Sequence, residues 1–247
     1  MLNRELNLLG RLHIADDVYK LYNTQLQNQD LNFSYDIIYG LPNQTLTDIQ
    51  YTLEELLKIS PKHFSVYCLS LENNVPLYKD FSDIPEDALV EEMYFYIRKT
   101  LLEYGYNHYE LSSFSLSNFE SQHNTAYWSD KYYLGLGAGS SGYLPNIRYS
   151  NIADLEKYLS SSIETIQTIT ELSKQDNETD YIITGLRKCK GIIMKEVNDK
   201  FNINFLDKYA QQVDKLYKQK LIIIDGDHIR INPESYFISN EVLCEFV

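Results

Sequence analysis

The stretch F-S-Y-D-I-I-Y-G-L-P-N-Q-T-L-T-D-I-Q-Y-T-L-E-E-L-L-K-I (33–59) changes its hydrophobic period partway along. Its first seven residues are rich in aromatic and β-branched side chains and predict a strand over 33–39, which G-L-P ends. From 45 to 59, Ile49, Leu53, Leu56 and Leu57 recur at the spacing of one helix face. Thr47 with Gln50 reads as a capping box, and Pro61 follows the helix. Before this stretch, Ala15, Val18, Tyr19, Leu21, Tyr22 and Leu26 predict a helix over 15–28; after it, H-F-S-V-Y-C-L-S-L (63–71) predicts a second strand. Helix, strand, helix, strand implies an α/β class, with a parallel sheet and right-handed crossovers.

The pattern continues with a helix over 86–104, where Leu89, Met93, Ile97 and Leu101 lie four apart and Gly105 suits the C′ position. A strand is expected at 106–111 and a loop-rich region at 112–150. A short helix follows at 151–159, with Asn151 or Asp154 near its start. Residues 160–173 read as a polar bridge. Helices near 176–189, 193–200 and 204–219, a hairpin at 221–231 turning on Asp225-Gly226, and a last helix at 233–246 make a winged-helix-like pattern. The expected boundary lies near 165, giving domains 1–164 and 165–247.

With 22 Lys and Arg against 35 Asp and Glu, the net charge of −13 repels phosphate backbones. From 176 to 247 there are 10 basic and 12 acidic residues, a net of −2, so the winged-helix-like part lacks the footprint of a DNA binder. No apolar run suffices to span a bilayer, and M-L-N-R-E-L-N-L-L-G-R lacks the apolar core of a secretory signal. The expectation is a cytoplasmic protein. Cys68, Cys189 and Cys244 are far apart, which argues against a disulfide framework or a zinc site.

Four features invite a functional reading. Asp36 stands inside an apolar strand, either as a ligand at a strand end or as a buried carboxylate satisfied by backbone donors. Arg11, in L-L-G-R-L-H, is either solvated or placed to fork onto a carboxylate. S-Q-H-N-T-A-Y-W (121–128) holds His123 and Trp128, the single tryptophan. His123 has no partner at metal-ligand spacing, so it is a lone contact or an ordinary hydrogen-bonded histidine. Beyond it, G-L-G-A-G (135–139) resembles a phosphate loop only loosely; glycine there permits close approach or positive φ.

L-G-R-L-H (9–13), D-I-I-Y-G-L-P-N-Q-T (36–45), S-P-K-H-F-S-V-Y (60–67), E-E-M-Y (91–94), Y-E-L-S-S-F (109–114), H-N-T-A-Y-W (123–128), G-L-G-A-G (135–139) and I-T-G-L-R (183–187) occur in order. Together they resemble the coproporphyrinogen-dehydrogenase-like radical SAM family. One branch of it decarboxylates coproporphyrinogen III without oxygen; the other comprises heme chaperones of the HemW type. The H-N-x-x-Y-W pattern is similar to the chaperone branch. The resemblance implies the last strands of a radical SAM (β/α) barrel followed by a winged-helix-like domain. It implies S-adenosylmethionine contacts at Arg11, Asp36 and Ser70, and a heme contact at His123 with Asn124, Tyr127 and Trp128. Trp128 would supply a flat wall for a porphyrin, or else close the barrel mouth by packing. Heme or a porphyrin, and a heme-accepting protein, are the implied partners.

The sequence departs from that family in one large respect. The C-x-x-x-C-x-x-C motif whose thiolates hold a 4Fe-4S cluster is missing, as is the glycine-rich segment after it. The expectation is a chain resembling a C-terminal portion, holding no cluster and doing no radical chemistry alone. The other readings are a decarboxylase lacking its N-terminal part and a non-catalytic winged-helix interaction protein. Ser113 replaces a family Asn, and Ser140-Ser141 stand where a His is common.

Overall fold

The computed structural model describes residues 2–27, 32–70, 83–161 and 164–247. Two compact units divide between Glu120 and Ser121. The expected ends of the first helix at 28 and of the second strand at 71 lie outside the described residues.

The first unit runs α1 (Asn3–Leu8), α2 (Ala15–Gln27), β1 (Ser34–Tyr39), α3 (Leu46–Lys58), β2 (His63–Cys68), α4 (Asp87–Glu103), β3 (Asn107–Glu110) and β4 (Ser113–Ser115). β1 and β2 are parallel, as expected for β-α-β. The expectation of a parallel sheet fails beyond them. β4 is antiparallel to both β2 and β3, and the order is β1-β2-β4-β3. The two residues between β3 and β4 are too few for a crossover and permit only a hairpin.

α3 starts two residues earlier than the Thr47–Gln50 pattern implies. Thr45 is extended, its Oγ1 accepts from the Asp48 N–H, and Asp48 Oδ2 accepts from the Thr45 N–H at 2.8 Å. Asp serves at the third position as Glu does in the usual box. Ile49, Leu53, Leu56 and Leu57 are buried as the spacing predicts. In α4, Val90, Met93, Tyr94, Ile97 and Leu101 are buried, and Gly105 follows the helix at φ 84°.

Strand register divides the sheet into two chemically different faces, because paired residues share a face. Tyr35 and Ile37 align with Phe64 and Val66, and Phe64 with Phe114; α4 packs on this sheet and helps bury the apolar set. The opposite face carries Ser34 and Asp36 on β1, His63 and Ser65 on β2, and Ser115 and Ser113 on β4.

The second unit begins with α5 (Gln122–Tyr127), β5 (Ser141–Leu144), β6 (Ile147–Asn151), α6 (Leu155–Ser160) and β7 (Ile166–Glu171). It continues with α7 (Lys174–Leu186), β8 (Ile192–Ile193), α8 (Met194–Phe201), α9 (Phe205–Lys208), α10 (Ala210–Lys218), β9 (Ile222–Asp225) and β10 (His228–Ile231). A 3-10 turn at Pro233–Ile238 and α11 (Ser239–Cys244) follow. The region expected as loop at 112–150 holds β4, α5 and the β5–β6 hairpin, and the expected polar bridge holds β7. Hydrophobicity does not mark these strands, since β7 exposes all six residues. The boundary expected near 165 falls between β6 and β7, which pair. α6 starts after Asp154, whose side chain caps it; Asn151 ends β6 instead.

The expected helix at 204–219 is broken at Tyr209 into α9 and α10. β9 and β10 form the expected hairpin within the sheet β8-β10-β9. Asp225 pairs with His228, so the turn residues are Gly226, at φ 58°, and Asp227 rather than Asp225-Gly226. Phe205, Leu216, Ile182, Leu186, Val197 and Ile229 make the core of this part.

Candidate functional site

In the first unit a cavity of about 510 Å³ is bounded by α1, α2, β1 and α3. Arg11 and Asp36 both line it, with Leu6, Leu9, Val18 and Ile38 supplying apolar wall. Asp36 lies on the polar face of β1 and is exposed, so the reading of a buried carboxylate held by backbone donors is not what the fold shows. Arg11, also exposed, follows the turn that ends α1. The fold thus brings together two residues 25 positions apart in the sequence. Ser70, just past β2, is exposed and is not among the cavity-lining residues.

Three further groups around this cavity carry no prior expectation. Gln44, buried, donates to Glu5 at 3.0 Å while its Oε1 accepts from the Leu41 N–H. Burial raises the Glu5 pKa, and the Gln44 bond opposes that shift. Ser34 also lines the cavity, and its Oγ is 2.6 Å from His63 Nδ1. His63 Nε2 in turn lies 2.8 Å from Tyr109 Oη. Burial lowers the His63 pKa, with Asp36 opposing. Gln44 and His63 stand inside the G-L-P-N-Q-T and P-K-H-F-S motifs, which is the signal that could have marked them.

In the second unit, α5 carries His123, Asn124 and Tyr127, with Trp128 at its C-cap. Ser121 Oγ accepts from the Asn124 N–H and starts the helix. His123 is exposed, and its ring meets Tyr127 edge-on at 4.7 Å. Tyr127 meets Tyr133 in the same way at 4.5 Å. Trp128 faces inward: the Arg187 guanidinium lies 5.0 Å from its ring, and its Nε1 is buried. A cavity of about 270 Å³ beside α5 is lined by Tyr127, Trp128, Tyr133, Arg148 and Asp180, among others. Arg148 donates from both Nε and Nη2 to Asp180, at 3.0 and 2.7 Å.

The glycine-rich loop has a structural explanation. A Cβ at Gly135 would lie 2.4 Å from the Ser141 carbonyl oxygen, and Gly137 has φ 109°. Asn151, buried at the end of β6, donates to the carbonyls of Gly135 and Gly137 at 3.1 and 3.2 Å and to Ser140 Oγ at 2.9 Å. Among the described residues no group of three or more His, Cys, Asp and Glu is placed to hold a metal ion. No helix among them is long and apolar enough to cross a membrane.

Residues 172–238 match the HemN C-terminal domain. The chain is 34% identical to the heme chaperone HemW of Lactococcus lactis, over 99% of this chain and 66% of that protein. The chain belongs to the HemN/HemW radical SAM family. HemW of Bacillus subtilis is a second such relative, 26% identical over 98% of this chain and 66% of its own length. The chain therefore spans about two thirds of these relatives. The solved structure of the radical SAM enzyme coproporphyrinogen III oxidase (HemN) from Escherichia coli superposes with a TM-score of 0.85 at 16% identity, covering all of this chain and 62% of that one. The chain thus takes the fold of part of HemN, a mixed α/β structure whose four-stranded sheet is open among the described residues.

Proposed function

We propose that this chain is the heme-handling portion of a HemW-type chaperone, taking heme on α5 through His123. The carrying observation is the exposed His123 ring backed by the edge-to-face pair Tyr127–Tyr133, in a chain similar to heme chaperones end to end. An imidazole in that position can reach an iron from solvent, and the edge-to-face phenols offer apolar surface to a macrocycle. Asn124 adjoins it in the first turn. Trp128 serves by fixing α5 against Arg187. A heme-accepting protein is the corresponding partner, and the setting is cytoplasmic.

The unit 1 cavity suits S-adenosylmethionine in its donor set. Arg11 can fork onto a carboxylate, and Asp36 can accept hydroxyl protons. When bound beside a cluster, that cofactor supplies radical chemistry. Cys68, Cys189 and Cys244 do not have the spacing to hold the cluster, so no step through it is assigned to these residues. Unit 1 reads as the last strands of a (β/α) barrel, supported by the parallel β1-α3-β2 connection. The segment from α7 to β10 reads as a winged helix, supported by its helices and terminal hairpin.

Hemin titration into the chain and into His123→Ala tests the heme assignment. The expected result is a shifted Soret band whose affinity falls about tenfold or more in the variant; identical spectra and affinities would remove His123 from the site. The oxidase reading instead requires tight binding of coproporphyrinogen III.

A further inference from the structure

β7 ends the β5-β6-β7 sheet, so among the described residues one of its backbone edges has no neighbouring strand. All six of its residues are exposed, including Ile166 and, at 63%, Ile169. The sequence I-Q-T-I-T-E favours a strand, and none of its residues is Lys, Arg or Pro, the types that commonly blunt an edge.

The register identifies the groups on the free edge. The Leu172 N–H donates to the Asn146 carbonyl at 2.7 Å, and Thr170 and Thr168 lie opposite Arg148 and Ser150. Antiparallel alternation directs the N–H and C=O of Thr168 and Thr170 to β6, and those of Ile169 and Glu171 outward. Exposed Glu164, two residues before the strand, and Glu171, its last residue, place a carboxylate at each end, in a chain of net charge −13. Antiparallel pairing of two β7 strands would set these carboxylates against their like, which disfavours a second copy.

We infer that the free edge of β7 is a docking site for an extended, β-branched segment of a partner protein with a basic side chain at each end. The partner adds a strand. Its backbone pairs with Ile169 and Glu171, its apolar side chains cover Ile169, and its cations meet Glu164 and Glu171. This goes beyond the heme assignment and uses none of its residues.

The test is fluorescence anisotropy of a labelled Lys-Val-Thr-Val-Thr-Lys peptide with the full 247-residue chain. Saturable binding is expected, weakened about tenfold or more by Ile169→Pro, which removes an outward N–H while leaving the β6 bonds. A peptide with Glu at both ends should bind about tenfold more weakly or worse. The comparison of the basic and acidic peptides on the wild-type chain serves as the reading if Ile169→Pro loses its far-UV spectrum. The inference is overturned by absence of saturable binding, by equal binding of Ile169→Pro with its fold intact, or by equal binding of the acidic peptide. It is also overturned if sedimentation shows a dimer that Ile169→Pro dissolves, since the occupant is then a second copy.

Discussion

His63 Nδ1 lies 2.6 Å from Ser34 Oγ on the adjacent strand, and the other ring nitrogen lies 2.8 Å from Tyr109 Oη. One buried imidazole thereby ties β1, through β2, to β3. Replacing it by Phe keeps a flat aromatic ring but removes both bonds. His63→Phe should cost about 2 kcal/mol and Ser34→Ala about 1 kcal/mol. Urea unfolding at pH 7 measures both, and unchanged midpoints would show the relay to be energetically idle.

His108 gives the fold an acid sensitivity. It stacks on Phe114 at 4.1 Å and 9°, and burial pushes its pKa from 6.5 down to about 4. Above pH 6.5 it is neutral in the folded and unfolded chain alike. As pH falls from 6.5 to about 4, the unfolded chain takes up the proton and the folded chain does not. Stability therefore declines across that window, by about 3 kcal/mol, and flattens below it. Paired urea titrations of wild type and His108→Gln should differ in slope there.

Asn151 holds the glycine loop from one amide. Asn151→Ala should destabilise by about 1–3 kcal/mol, since the buried amide's bonds to the glycine loop are lost. Hydrogen exchange at 135–140 should accelerate, while exchange in α10 should be unchanged. Gly135→Ala, which would drive a Cβ into the Ser141 carbonyl, should have a comparable effect.

If the unit 1 cavity takes S-adenosylmethionine, Arg11→Ala and Asp36→Ala should each weaken it about tenfold or more by calorimetry, because each removes a charge-assisted bond. Leu102→Ala, at an exposed position outside the cavity-lining residues, should leave the affinity within about twofold.

What the sequence disclosed follows from where burial enforces periodicity. α3, α4, β1 and β2 face a core on one side, so Ile49, Leu53, Met93 and Ile97 are spaced accordingly. β7 buries nothing, and β4 is three residues of Ser-Phe-Ser, so neither carries a pattern. The antiparallel turn into β4 was invisible because a two-residue connection leaves no mark in hydropathy. At the candidate sites, motif membership indicated Arg11, Asp36 and the α5 residues. It could not show that Asp36 is exposed, that Trp128 turns inward, or that Asn151 organises the glycines, since each depends on residues brought close only by folding.

The contact between Arg187 and Trp128 bears on where this part of the chain can be cut. The segment that matches the HemN C-terminal domain starts at 172, yet α7 inside it depends on residues before that point: Asp180 holds Arg148, Asn177 donates to Asn146, and Arg187 covers the indole. A fragment excised at 172 would expose the flank of α7 that these groups occupy, whereas one begun at Ser121 would retain every one of them. The start of the matched segment and the start of the compact unit are here about fifty residues apart, on the order of a small domain's minimum length.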